Sequence, residues 1–130
     1  MENRKILIDS NILIEYLRAG EKENTILVKF QEYDFYISVI SIFELLAGAN
    51  TSEKKQQAKT LIENFTKVDF TVKDAELAGD VSIFLRSEGI NFKNFNDIFI
   101  AATALTNDLP ILTLNIKDFQ HIQNLKLIKI

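Results

Sequence analysis

Ile6-Leu7-Ile8-Asp9-Ser10-Asn11 decides how the rest of this chain is read. Three consecutive aliphatic residues make a short buried strand, and the carboxylate, hydroxyl and amide behind them make a turn at its end. Asp9 is thereby held at the edge of the core, where a charged group rarely sits without a partner. A helix cap is one explanation of Asp9, and a shared site is the other.

Working outward, the strand covers 5–8 and a short helix follows over 12–17, with Ser10 or Asn11 as its cap and Gly20 as its break. A second short helix is expected over 25–32, an aromatic strand over 35–38, and a helix over 40–47 closed by Gly48 and Asn50. Ser52 opens a longer helix whose apolar stripe is Ala58, Leu61, Ile62 and Phe65, leaving Lys54, Lys55 and Lys59 in solvent. A strand is expected over 67–70. Thr71-Val72-Lys73-Asp74 then reads as a capping signal for a helix that buries Leu77, Val81, Phe84 and Leu85 and stops at Gly89. Asp74 and Asp80 are read as surface groups of that helix. After a polar loop over 91–96, the nearly continuous apolar run 97–106 reads as a central helix, its alanines allowing close backbone approach. Strands over 111–113 and 127–130 flank a polar turn over 115–118. Short apolar strands alternating with helices define an α/β class: a parallel sheet covered by helices on both faces.

The bulk properties agree. With 130 residues the chain is expected to form one domain over 1–130, and 47% hydrophobic content with ten phenylalanines argues against disorder. No apolar run approaches the roughly 20 residues that span a bilayer. Met1-Glu2-Asn3 leads directly toward the first strand with no signal peptide, and the absence of cysteine removes disulfides, thiolate metal sites and a Cys nucleophile. Both points fit a cytoplasmic protein. A net charge of −3 does not advertise a nucleic-acid binder, although bound cations would change the local sign.

In a parallel sheet, ligands bind beyond the carboxyl ends of the strands. Connectivity alone brings Asp9, Glu44, Asp97 and the turn holding Asn115 and Asp118 to that edge. Clustered carboxylates repel unless a cation intervenes, and Mg²⁺ or Mn²⁺ suits an all-oxygen donor set. One or two such ions can drive hydrolysis of a phosphodiester with no histidine, cysteine or glycine-rich loop. Each residue also has a structural reading. Asp9 can cap a helix, Ser41-Ile42-Phe43-Glu44 fits a capping box, Asp97 suits a helix N-terminus, and Asp118 beside Lys117 suits the surface. His121, the single histidine, reads as a surface or rim residue.

Four segments together resemble the PIN-domain nucleases, most closely the VapC-type ribonuclease toxins of prokaryotic toxin–antitoxin pairs. They are Leu7-Ile8-Asp9-Ser10-Asn11, Ile37-Ser38-Val39-Ile40-Ser41-Ile42-Phe43-Glu44-Leu45 with Gly48, Asn96-Asp97-Ile98-Phe99-Ile100-Ala101-Ala102-Thr103-Ala104, and Leu112-Thr113-Leu114-Asn115-Ile116-Lys117-Asp118-Phe119. The resemblance implies a three-layer PIN-like domain and an endoribonuclease dependent on Mg²⁺ or Mn²⁺. Asp9, Glu44 and Asp97 match the family's central metal-holding acids. Asp118 or Asn115 takes the fourth position, and Ser10 matches the hydroxyl that supports the water at the metal, with Thr113 also in support. Relatives often show Pro-Gly where this chain has Gln123-Asn124. The resemblance further implies a homodimer and a cognate antitoxin laid across the active-site groove. RNA contacts are expected from Lys54, Lys55 and Lys59, with Arg86 and Lys93 as further candidates. The competing readings are an aspartate-based phosphohydrolase or phospho-receiver, disfavoured because Asn11 stands where a second acid is wanted, and a non-catalytic binding module.

Overall fold

The computed structural model describes residues 4–130, so the reading of Met1-Glu2-Asn3 lies outside the described residues. The aliphatic run is the strand β1 (Lys5–Ile8), and Ile6, Leu7 and Ile8 are all fully buried. The chain continues through α1 (Ser10–Arg18), a 3-10 turn at Lys22–Asn24, α2 (Ile26–Lys29), β2 (Asp34–Ser38), α3 (Val39–Ala47) and α4 (Ser52–Leu61). It then forms β3 (Thr66–Val68), α5 (Val72–Ser87), α6 (Phe95–Thr106), β4 (Ile111–Leu112) and α7 (Ile116–Phe119). Among the described residues no helix is long and apolar enough to cross a membrane.

The four strands are parallel and lie in the order β3-β2-β1-β4. Leu7 faces Tyr36 on one side and Ile111 on the other, and Ile8 faces Leu112. Successive side chains of a strand point to opposite faces, so β1 feeds two cores. Ile6 and Ile8 pack with Ile12, Leu13 and Leu27, on the side of α1, α2 and α4. Leu7 packs with Leu85, Ile98 and Ala101, on the side of α5 and α6. This is the expected three-layer arrangement. Burial of each such aliphatic side chain contributes about 1.5–3 kcal/mol. From β3 the chain crosses the sheet through α5 and α6 to reach β4 on the far side of β1. The strand order therefore reverses between β1 and β4, and a crevice opens at their carboxyl ends.

The C-terminal part departs from the sequence reading. The strand expected over 111–113 keeps only two residues. The polar turn over 115–118 is instead the short helix α7, with Asn115 at its N-cap position. The last strand shrinks to one parallel bridge between Ile111 and Leu127. Upstream, α6 starts at Phe95 with Asn94 as its cap, so Asp97 lies within the first turn rather than at the start. The helix expected over 25–32 contracts to the single-turn α2, and the 3-10 turn lies before it.

Two helix ends shape the site's surroundings. Gly89, at φ +71°, closes α5: its N–H donates to Arg86 and the Ile90 N–H donates back to Leu85 at 2.9 Å, a Schellman ending. That turn launches the loop that walls the crevice. At the other end of α5, Thr71 and Asp74 form the expected capping box. Asp74 is not a surface group, however. It is 1% exposed, and its carboxylate also accepts from the hydroxyls of Thr103 and Thr106 on α6. These hydroxyls come from residues far along the chain, which a local reading of α5 does not reveal. Asp74→Ala removes the cap bond and the contacts to two threonine hydroxyls, which keep the carbonyls of Phe99 and Thr103 as acceptors, and we expect a loss of about 1–2 kcal/mol in urea unfolding. An unchanged midpoint would contradict this coupling of α5 to α6.

Candidate active site

Because β1 and β4 are parallel neighbours, the residues that follow them meet at one edge. The Asp9 N–H extends the ladder by donating to Leu112 O at 3.0 Å. The Asp9 carboxylate is 4% exposed and saturated with donors. Ser10 N–H reaches Oδ1 at 2.8 Å, and the Thr113 hydroxyl donates to Oδ2 at 2.7 Å. Asn11 Nδ2 lies 3.3 Å from the same Oδ2 and 3.2 Å from Thr113 Oγ1, while Asn11 Oδ1 accepts from Leu114 N. Asp9 is thus the N-cap of α1, in place of Ser10 or Asn11, and also the centre of a network joining β1 to β4.

Glu44 is tied to the same edge. The cap of α3 is Ser38, which accepts from Ser41 N–H, so the capping box expected between Ser41 and Glu44 does not form. The helix starts earlier than its sequence suggests, and Glu44 is left on its second turn with no cap to serve. Its carboxylate instead accepts from Ser10 Oγ at 3.2 Å and from Asn96 Nδ2 at 3.2 Å. Ser10 bridges the two acids, with its N–H on Asp9 and its hydroxyl on Glu44. Asn96 has no assigned role in the sequence reading, and Asn11 is read there only as a possible helix cap. Asn96 adjoins Asp97 and Asn11 ends the opening motif, so adjacency was the only signal for either.

Asp97 and Asp118 are held differently. Among the described residues, neither side chain makes a hydrogen bond or an ion pair. Burial, then the negative charges of Asp9, Asp118 and Glu44, push the Asp97 carboxyl up from an ordinary 3.8 to about 7. Asp9 is also raised, chiefly by burial and then by Glu44 and Asp118, against the lowering bonds from Thr113 and Ser10. The four acids therefore feel one another. Asn115 is exposed, and its N–H donates to Thr113 Oγ1 at 3.0 Å.

Asp97 and Asp118 share the wall of a cavity of about 300 Å³ with Phe92, Lys93, Lys117 and His121. His121 is exposed at its rim, as expected. The lysines of α4 are not there. Lys54, Lys55 and Lys59 are exposed, and Lys54 lines a separate cavity of about 160 Å³ with Arg18, which none of the four acids lines.

The donor set fits a hard divalent cation: four carboxylates, a hydroxyl and amides, with no thiolate and no basic group bonded to the acids. Among the described residues, no three acidic side chains converge closely enough to grip one ion as they stand. Mutual repulsion favours that spread, and a cation would oppose it.

An α/β domain with an acidic crevice at the strand-order switch is the class this geometry defines. Residues 6–125 match the PIN domain family model, and the chain belongs to that family. It is similar to a Ribonuclease VapC from Rickettsia bellii, 33% identical over an alignment of 133 positions covering 96% of each chain. A Ribonuclease VapC10 from Mycobacterium tuberculosis is 34% identical over 122 positions, covering 93% of this chain and 90% of the relative. Among solved structures, VapBC2 from Rickettsia felis bound to a DNA fragment from its promoter superimposes with a TM-score of 0.78 at 26% identity, covering 95% of this chain and 97% of that one.

Folding raises the Asp97 pKa, so the folded chain holds that proton more tightly than the unfolded chain. The resulting stabilisation is complete below the unfolded value of 3.8 and is lost as pH rises through about 7. In chelator, we expect the melting temperature of Asp97→Asn to exceed that of the natural chain at about pH 8, and the difference to close toward pH 4. Equal melting temperatures throughout would show that Asp97 does not carry this strain.

Proposed function

We propose that this chain is an endoribonuclease that hydrolyses RNA phosphodiesters with Mg²⁺ or Mn²⁺, and that it is the toxin of a toxin–antitoxin pair in the cytoplasm. Residues 1–130 would act as one nuclease domain. The carrying observation is the placing of Asp9, Glu44, Asp97 and Asp118 at the switch between β1 and β4, with Asp97 pushed to about 7 by burial and then by the other three charges. Relatives named ribonucleases, and a solved toxin–antitoxin complex from Klebsiella pneumoniae with the same fold, support the substrate class and an antitoxin partner. A homodimer belongs to the same reading.

Asp9, Glu44 and Asp97 would hold the ion, with Asp118 as the fourth acid. Asn115 offers a carbonyl oxygen and no charge. When bound, the ion supplies a Lewis acid for the phosphoryl oxygen and makes the attacking water more acidic. Water then adds to phosphorus and a P–O ester bond breaks, leaving one fragment with a phosphate and the other with a hydroxyl. The protein's own part is to hold its carboxylates ready. Thr113 and Ser10 N–H fix both oxygens of Asp9, while Ser10 Oγ and Asn96 fix those of Glu44. Asp97 and Asp118, without such bonds, are free to adjust to the ion and the phosphate.

Loss of a group that merely orients a metal ligand costs about 10–100-fold, so loss of a ligand should cost more. We expect Asp9→Asn and Asp97→Asn each to abolish metal-dependent RNA cleavage and growth arrest when expressed without antitoxin. In the natural chain, Mg²⁺ or Mn²⁺ should raise the melting temperature, and Asp9→Asn should remove that rise. Cleavage that survives both substitutions would sink the mechanism.

A further inference from the structure

We propose that the cavity bounded by the loop after α5, the first turn of α6 and α7 is the subsite for one unpaired nucleotide of the RNA, adjoining the scissile phosphate, with Lys93 and Lys117 as its phosphate contacts and Phe92 and Phe95 as its base platform. This rests on the ribonuclease reading and locates part of its substrate.

Position is the first argument. Asp97 and Asp118 belong both to the group of interacting acids and to the wall of this cavity, so an occupant abuts the carboxylates. A volume of about 300 Å³ is at the lower end for small-ligand sites and suits one nucleotide rather than a duplex.

Charge is the second. The chain is acidic overall, at −3, and four of its acids face the phosphodiester, so an RNA strand needs local cations. Lys93 and Lys117 line the same cavity as Asp97 and Asp118, yet among the described residues neither forms an ion pair with any acid. Ion pairs form elsewhere, between Arg4 and Glu32 and between Lys126 and Asp108. Two cations beside two carboxylates and bonded to neither are available to a phosphate. The lysines of α4 have no comparable position, since the cavity beside Lys54 has none of these acids in its wall.

The third argument is the aromatic surface. Phe92 lines the cavity, and Phe95 meets it edge-on with ring centroids 5.2 Å apart. Phe95 is 63% exposed although it stands only two residues before Asp97. Unpaired bases are held by stacking on such rings and by hydrogen bonds along their edges. The amides of Asn91 and Gln120, also in the wall, supply donors and acceptors for those edges.

The test is fluorescence anisotropy with a labelled single-stranded RNA of about 12 nucleotides, Ca²⁺ replacing Mg²⁺, over a range of salt. Lys93→Ala and Lys117→Ala should each weaken binding about 3–10-fold and reduce the salt slope by about one phosphate contact. Phe95→Ala should weaken binding, and Phe95→Trp should restore it, which a purely structural role would not produce. Lys29→Ala, exposed at the end of α2, should bind as the natural chain does. All four positions are exposed, so folding is expected to survive each change. If Lys93→Ala and Lys117→Ala keep the natural affinity and salt slope while the natural chain cleaves RNA, the subsite is wrong and the ribonuclease reading stands. The subsite is equally overturned if a duplex of the same sequence binds as tightly as the single strand. If the natural chain cleaves no RNA with Mg²⁺ or Mn²⁺, the ribonuclease reading fails and the subsite with it.

Discussion

Mutual repulsion among Asp9, Glu44, Asp97 and Asp118 is the constraint that the architecture must hold in check. Two like charges brought together in a partly buried place raise each other's free energy, and burial adds to the cost. The chain answers with hydrogen-bond donors rather than with basic side chains. Asp9 receives a backbone N–H and a threonine hydroxyl, and Glu44 receives a serine hydroxyl and an amide. Neutral donors stabilise a carboxylate without cancelling its charge. The negative potential of the crevice therefore survives, which an arginine at the same distance would have removed. Asp97 lies outside this protection, and burial together with the neighbouring charges pushes its carboxyl up to about 7.

Such a cluster is tolerable only on a rigid support. β1 supplies it, being fully buried from Ile6 to Ile8 and paired on both edges. β4 is only two residues long, but its end is fixed by the donors running between Thr113, Asn11 and Asp9 and by the Ile111–Leu127 bridge. Glu44 and Asp97 ride on α3 and α6, and α6 packs into the core through Ile98, Ile100, Ala101, Ala102 and Ala104. The alanines are part of the mechanism in this sense: small side chains let the helix approach the sheet, and that approach carries Asn96 to Glu44.

The amount legible from residues alone follows the same physics. Burial of 6–8 and the alternation of apolar strands with helices depend on local pattern, and both cores and the sheet could be anticipated from it. Asp9 and Asp97 could be anticipated because one ends and the other begins an apolar run, where a charge is conspicuous, and Glu44 because it interrupts one, whereas Asp118, in a polar turn, was reached only through connectivity and the family resemblance. Local pattern failed wherever the partner is distant in sequence. Asp74 looks like any first-turn acid, and nothing beside it discloses Thr103 and Thr106. Glu44 looks like the far end of a capping box, because Ser38 and Ser41 are equally good caps and only the sheet register selects Ser38. The bonds of Asn11 to Asp9 and of Asn96 to Glu44 were hidden for a related reason: an amide in a polar turn has many roles, and only the fold shows which acid it faces.

Net charge misdirects here in an instructive way. A chain at −3 gives no sign of an affinity for nucleic acid, and its most obvious basic cluster, at Lys54, Lys55 and Lys59, is a solvated helix face. An acidic crevice nevertheless requires positive charge close by, because a cation bound among the carboxylates answers their charge but not that of the strand running past them. That second requirement is local, and only side chains that share a wall with the acids can meet it. Lys93 and Lys117 do, one from the loop after α5 and one from α7, on opposite sides of Asp97 in sequence. They are separated from each other by the whole of α6 and β4, so no run of basic residues marks them. The relevant measure of charge is therefore its arrangement around the switch between β1 and β4, where a few lysines outweigh the sign of the whole chain.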